Sequence, residues 1–571
     1  MPTKSKRERP ANVAVTEAAG GRAAAPAVPR AATAVDKRTA ARHIRSCADE
    51  CGDGEARSRI LALLRAVRDG AGSPRRAAAV EAAIAVVLED GGQAGEDRWL
   101  RGEAAAWGLA RLAKRRPAAG SAGRHLERLV AEARAGALAL ADRDTRPARF
   151  MIVLAALFAD VEACRELDRQ GIAAVAEEIG RLVSAEGSVV LSASQTVVDR
   201  VSRWTGVRQA TRTLAAPGWD DDLERRWAAA AAVTLRLIGG RERGLDGDAR
   251  AAVAAARLLG AVVESGGRRA RATARALRGG DVGRGGLLAP DHHDAAAAVT
   301  VIRTGWGRDA VRVLLEYRDA TPRLEIAVAD RLLVDGPWDW TTAADGRPLD
   351  AEGAWTVSCW ESDGKAACLE IAAPLAGGMR LDRQIVVLRR ERIVLLADAV
   401  VPGAEPPAAT GPDELTHRAV VRLAPGLEAE PAGDTREVLV YDGGMRCMVL
   451  PAALPEWRGA GRGELAASPG ALELGQVGQR RLYAPLWIDC DPRRIGRPLT
   501  WRQLTVADTR RNLPPHQAAG FRIQSGLEQW LLYRALDAAR NRTLLGCNVS
   551  SGFLLGRIRR SGEVARTVEI D

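Results

Sequence analysis

At 571 residues, with 83 Lys+Arg against 72 Asp+Glu, the chain is too long for one ordinary domain and long enough to bury several cores. No run of about 18 apolar residues occurs, which excludes a helical membrane span. The eight cysteines are scattered, only Cys47 and Cys51 lying close together, so they make neither a disulfide framework nor a zinc site and point to reduced, buried thiols.

The net charge of +11 is uneven: residues 1–290 carry 48 Lys+Arg against 35 Asp+Glu, and the remainder carries 35 against 37. A polyanion would therefore meet the first half. Nucleic acid is not expected, because no zinc-finger, RNP or helix-turn-helix signature accompanies the charge. An acidic polysaccharide fits better.

Residues 1–36 read as a disordered basic leader. Glu, Gly, Arg and Pro interrupt any apolar core a signal peptide would need, so the expectation is a cytoplasmic chain. From 37 to 278 apolar residues recur at helical spacing in segments such as EARSRILALLRAVRD, RGEAAAWGLARLAKRR and RPARFMIVLAALFADVEACRELD. Ser73-Pro74 supplies an N-cap followed by proline, and Gly239-Gly240 a stop. Ala-rich faces suit a compact α/α domain, bundle or toroid. Residues 279–295 form a Gly-rich linker. Strands follow from 296 to 571, announced by VTVIRTGW, RLLVDGPWDW, WTVSCWESD and MRLDRQIVVLRRERIVLLADAVV. The expected class is an α+β multidomain chain, with a toroid-like helical domain ahead of a large antiparallel β-sandwich that carries nine of the fourteen Trp.

This order of domains, with AVTVIRTGW (298–306) as a first sandwich strand and RLLVDGP (331–337) as a strand ending in a turn, resembles the heparinase II/III-like polysaccharide lyases. The resemblance implies β-elimination at a uronic acid, and relatives that are usually exported. It further implies a His-x-His-x-Asp-like segment between those strands and a catalytic Tyr and Asn from the helical domain. Here the intervening segment EYRDATPRLEIAVAD has no His, the first Tyr of the chain is Tyr317, and Asn12 in the leader is the sole Asn of the first half. The catalytic set does not carry over. A non-catalytic glycan binder is thus the first expectation; an active lyase with a non-standard site and a structural or nucleic-acid-associated protein are the alternatives.

Several candidates remain. Asp291-His292-His293-Asp294 follows the linker; it is either a solvated loop or an acid/base site completed by Arg303 and Tyr317. No cofactor is expected, a divalent metal at Asp291, His292, His293 and Asp294 being the exception considered. Trp338, Trp340, Trp355 and Trp360 either pack between sheets or stack on sugar rings. Arg268 and Arg269 are either a solvated helix face or a basic, glycan-facing rim. Oligomeric state stays open.

Overall fold

In a computed structural model, residues 35–571 are described apart from 90–96, 114–120, 191–193, 217, 240–248, 280–285, 308, 330, 404–411, 460–461 and 510. The leader, except Val35 and Asp36, and part of the Gly-rich linker lie outside the described residues.

The helical half comprises α1 (Lys37–Glu50), α2 (Gly54–Asp69), α3 (Pro74–Leu88), α4 (Arg98–Ala113), α5 (Ser121–Ala141), α6 (Ala148–Leu157), α7 (Leu167–Leu182), α8 (Ser194–Leu214), α9 (Asp221–Thr234), α10 (Ala249–Ser265) and α11 (Arg268–Leu277). Side-chain caps start several of them: Asp36, Asp53, Ser73 and Asp220 each accept a backbone N–H from the first turn. The continuous periodicity across 146–168 is interrupted after Leu157, where Phe158 leaves helical geometry and a 3-10 turn leads into α7.

The contacts close on themselves. α1 meets α4, α4 meets α6, α6 meets α8, α8 meets α10, and α10 returns to α1, while α5, α7 and α9 form a partial outer layer. Burial follows this order: Gly102–Ala110 of α4 and nearly all of α6 are buried, as a helix surrounded by others requires, whereas α2 and α5 bury one stripe. Gly171 lets α6 and α7 approach closely, because a Cβ there would sit 3.0 Å from the Ala148 carbonyl oxygen.

The second half stacks four antiparallel sheets. The first has nine strands and runs from His292–Asp294 at one edge, through Val299–Arg303, Val311–Glu316, Arg323–Val328 and Arg331–Ala344, to the strands beyond residue 415. Its outer face packs on the helices through Val299, Val301 and Leu314. Its inner face shares a core with the eight-stranded second sheet. The other side of the second sheet packs on a five-stranded third sheet, with Leu395 and Trp487 against Phe521 and Trp530. That double burial explains why Ile393–Val401 and Leu482–Asp489 are buried throughout instead of alternating. A small fourth sheet covers the far side of the third. No helix among the described residues is long and apolar enough to cross a membrane.

Candidate functional site

The helical half meets the first sheet at one end. The chain after α7 places Ser184 and Ser188 against strand His292–Asp294: Ser184 donates to Asp294 Oδ2 at 2.5 Å, and Ser188 Oγ lies 2.7 Å from His292 Nε2. Strand alternation sends the neighbouring His293 to the opposite face, where Nδ1 lies 2.8 Å from Thr300 Oγ1 and the ring stacks on Trp360 with centroids 4.8 Å apart. The two histidines therefore do not converge. Burial, with the Arg236 charge added, pushes His292 down to about 4, and burial also lowers His293, so both are neutral at pH 7. For Asp294, burial opposes the charge, yet the hydrogen bonds from Ser184 and the Ala297 N–H outweigh it and hold the carboxyl low.

Asp291 is a junction post. Its carboxylate accepts from Arg389 at 2.5 and 3.1 Å, from Ser362 at 2.5 Å and from the Arg303 N–H at 3.0 Å. Arg303, the candidate for completing that acid/base site, donates to the carbonyls of Gly305, Arg236 and Ile238 and lies over Trp306. It pins the end of α9 to the sheet, and Arg312 does the same at the Leu237 carbonyl. Tyr317 belongs to the core between the first and second sheets; burial pushes its hydroxyl up to about 12. Among the described residues, no three His, Cys, Asp or Glu side chains converge to hold a metal.

The tryptophans divide. Trp338 is 2% exposed and Trp355 7%, so neither offers a ring face to a sugar. Their rings flank the Arg383 guanidinium at 3.9 and 5.6 Å in the core, which is the packing alternative. Trp340 and Trp360 remain partly exposed, Trp340 on the wall of an open cleft with His417. Arg268 and Arg269 are exposed on α11.

Sequence reasoning missed two features. On the ring axis, α1, α4, α6, α8 and α10 enclose a cavity of about 260 Å³. Arg149 reaches Glu103 at 2.7 Å and Glu50 at 2.8 Å, Arg257 also pairs with Glu50, and Nη2 of Arg149 is buried with no hydrogen-bond partner. Thr145 donates to Glu178, so the start of α6 sits beside the end of α7, which is the end that leads to the sandwich. The cavity thus lies toward the sheet side of the ring.

The second feature is Glu316. It shares its strand face with Leu314 and Arg312, which meet the helices. Burial, reinforced by Glu325, raises its carboxyl to about 7. The folded chain then holds this proton more tightly than the unfolded chain, whose carboxyl titrates near 4.5, so stability from this residue falls as pH rises from 4.5 to about 7. Glu316→Gln should flatten that limb and gain at most about 3 kcal/mol above neutrality. Urea unfolding on either side of that window checks it; parallel curves for the two proteins would refute the raised value.

No family model matches the sequence, and no curated protein matches it. Solved structures do. Heparan sulfate lyase HepC from Pedobacter heparinus superposes with TM-score 0.52 at 11% identity over 86% of this chain and 84% of that one. The chain is similar in fold to heparinase III. A heparinase III crystal structure gives TM-score 0.53 at 10% identity, covering 84% of this chain and 81% of that one. The heparinase III BT4657 gene product gives 0.54 at 9%, covering 88% and 92%. The heparinase III-like architecture of helical toroid plus β-sandwich matches the expected fold class.

Proposed function

We propose that this protein binds an acidic polysaccharide between the helical ring and the first sheet, without cleaving it. The reading rests above all on the junction: its two histidines point to opposite faces and each is already held by a hydroxyl, His292 by Ser188 and His293 by Thr300, so they cannot act together on one substrate. Binding is supported by the Arg149 and Arg257 guanidiniums that line the axial cavity, cations of the kind that attract a uronate carboxylate or a sulfate. The fold shared with heparan sulfate lyases is consistent with an acidic polysaccharide as the ligand class.

Incubation with heparan sulfate, hyaluronan and alginate tests both halves. Salt-sensitive retention of a glycan with no growth of unsaturated-uronate absorbance is the expected result, and Arg149→Lys should weaken retention about tenfold, because an ammonium cannot hold Glu50 and Glu103 and also face a ligand. Retention on DNA alone would overturn the glycan reading. Steady growth of the absorbance would favour a second reading, an active lyase, for which Glu316 is the motivating observation: a carboxyl titrating near 7 on the face toward the helices can exchange protons at neutral pH. Under that reading Glu316→Gln abolishes turnover while leaving glycan retention intact.

A further inference from the structure

On the opposite side of the second sheet from the first, a recess of about 250 Å³ opens at the common end of the second and third sheets. Every residue lining it is Arg, Asp or Glu. Arg390 comes from the turn between strands Met379–Leu388 and Ile393–Pro402, Arg493, Arg494 and Arg497 from the segment after Leu482–Asp489, and Arg557 from strand Phe553–Ile558.

Arg494 is the anchor. Its side chain is 4% exposed, it grips Asp489 through Nε and Nη2 at 2.7 Å each, and it lies over Trp530. The remaining balance is lopsided. Glu528 faces Arg557 at 2.6 Å, Arg494 at 3.6 Å and Arg497 at 3.9 Å, and Glu391 faces Arg557 at 3.9 Å, so only the first of these is a hydrogen bond and five Arg line the recess against three carboxylates. Asp491 is taken by Arg493 at 2.8 Å. Arg390 is exposed and has no ion pair among the described residues.

We propose that this recess is an oxyanion site, which takes a tetrahedral anionic group, sulfate or phosphate, either free or as a monoester. Guanidinium forks match the oxygens of such a group pairwise, and the absence of any apolar lining excludes a ligand held by a hydrophobic body. The anion supplies the negative charge that Arg390 lacks and that Arg497 meets only at 3.9 Å, while the Arg494–Asp489 pair holds the floor rigid. The recess also adjoins the domain junction, since Arg389, next to Arg390, holds Asp291.

The test uses the full chain, with inorganic phosphate, inorganic sulfate and glucosamine 6-sulfate titrated calorimetrically at ionic strength matched with sodium chloride. Saturable heat and a rise in Tm beyond the chloride control are expected. Arg390→Ala with Arg497→Ala, both exposed positions, should weaken binding at least about tenfold with an unchanged far-UV spectrum. Tighter binding of the sugar sulfate than of sulfate identifies a monoester as the source, and equal binding identifies the free ion. Responses no greater than chloride, or equal affinity in the double variant, would overturn the site, whatever the glycan experiments give.

Discussion

Arg383→Met should cost about 3–5 kcal/mol at neutral pH, the largest single-residue loss expected in the sandwich. Arg383 is fully buried and donates to Asp398 at 2.8 and 2.9 Å and to the Trp338 carbonyl at 2.6 Å. Asp398, 1% exposed, also lies 3.0 Å from His417 Nε2, whose Nδ1 is 2.8 Å from Thr342 Oγ1. Burial would raise the Asp398 carboxyl, but the Arg383 charge and hydrogen bonds outweigh it and hold it well below the usual carboxylate range. In the native chain this stabilisation is present above the unfolded carboxyl pKa of 3.8 and is lost as pH falls below it. Removing Arg383 strands a buried anion, so the loss should shrink at acid pH, where Asp398 takes a proton. Pairing Arg383→Met with Asp398→Leu should recover most of it, because two apolar groups leave no charge to desolvate. Urea midpoints check this: a loss under about 1 kcal/mol in the single variant, or no recovery in the double, would contradict the account.

Asp291→Ala should come second, at about 3–4 kcal/mol, with a qualitative signature besides. It leaves Arg389 buried without its carboxylate and removes the acceptor for Ser362 and the Arg303 N–H. Since Asp291 lies where the helical half passes into the sheets, one calorimetric transition should split into two. Asp291→Asn, which keeps one of the two acceptor oxygens but not the charge, should lose somewhat less. A single transition at unchanged Tm in Asp291→Ala would show that the two halves are held together elsewhere, through Arg303 and Arg312.

Much of the architecture was legible because periodicity is local. Apolar spacing marked the helices from Lys37 onward and alternation marked the strands from Val299 onward. Alternation failed where a strand is buried on both faces, as in Ile393–Val401, and so the third and fourth sheets were not separable from the first two. Site chemistry was less legible. Trp338 and Trp340 lie two apart on one strand and face the same way, yet one is core and the other walls a cleft, a difference set by depth along the sheet. Nothing near Arg149 indicates Glu50, which is 99 positions earlier. Glu316 ends a strand of apolar residues, and that charged end was the one available signal.

Composition and short-range pattern alone determined the division into a basic helical half and a strand-rich half. They also established that the helical half brings no tyrosine and, past the leader, no asparagine. Only the packed chain decided that the helices close into a ring, that four sheets stack, and that the two histidines part to opposite faces. The physical reason is range. Secondary structure follows from neighbours three or four positions away, whereas burial, pairing and proton affinity are set by groups that folding brings together from distant parts of the chain.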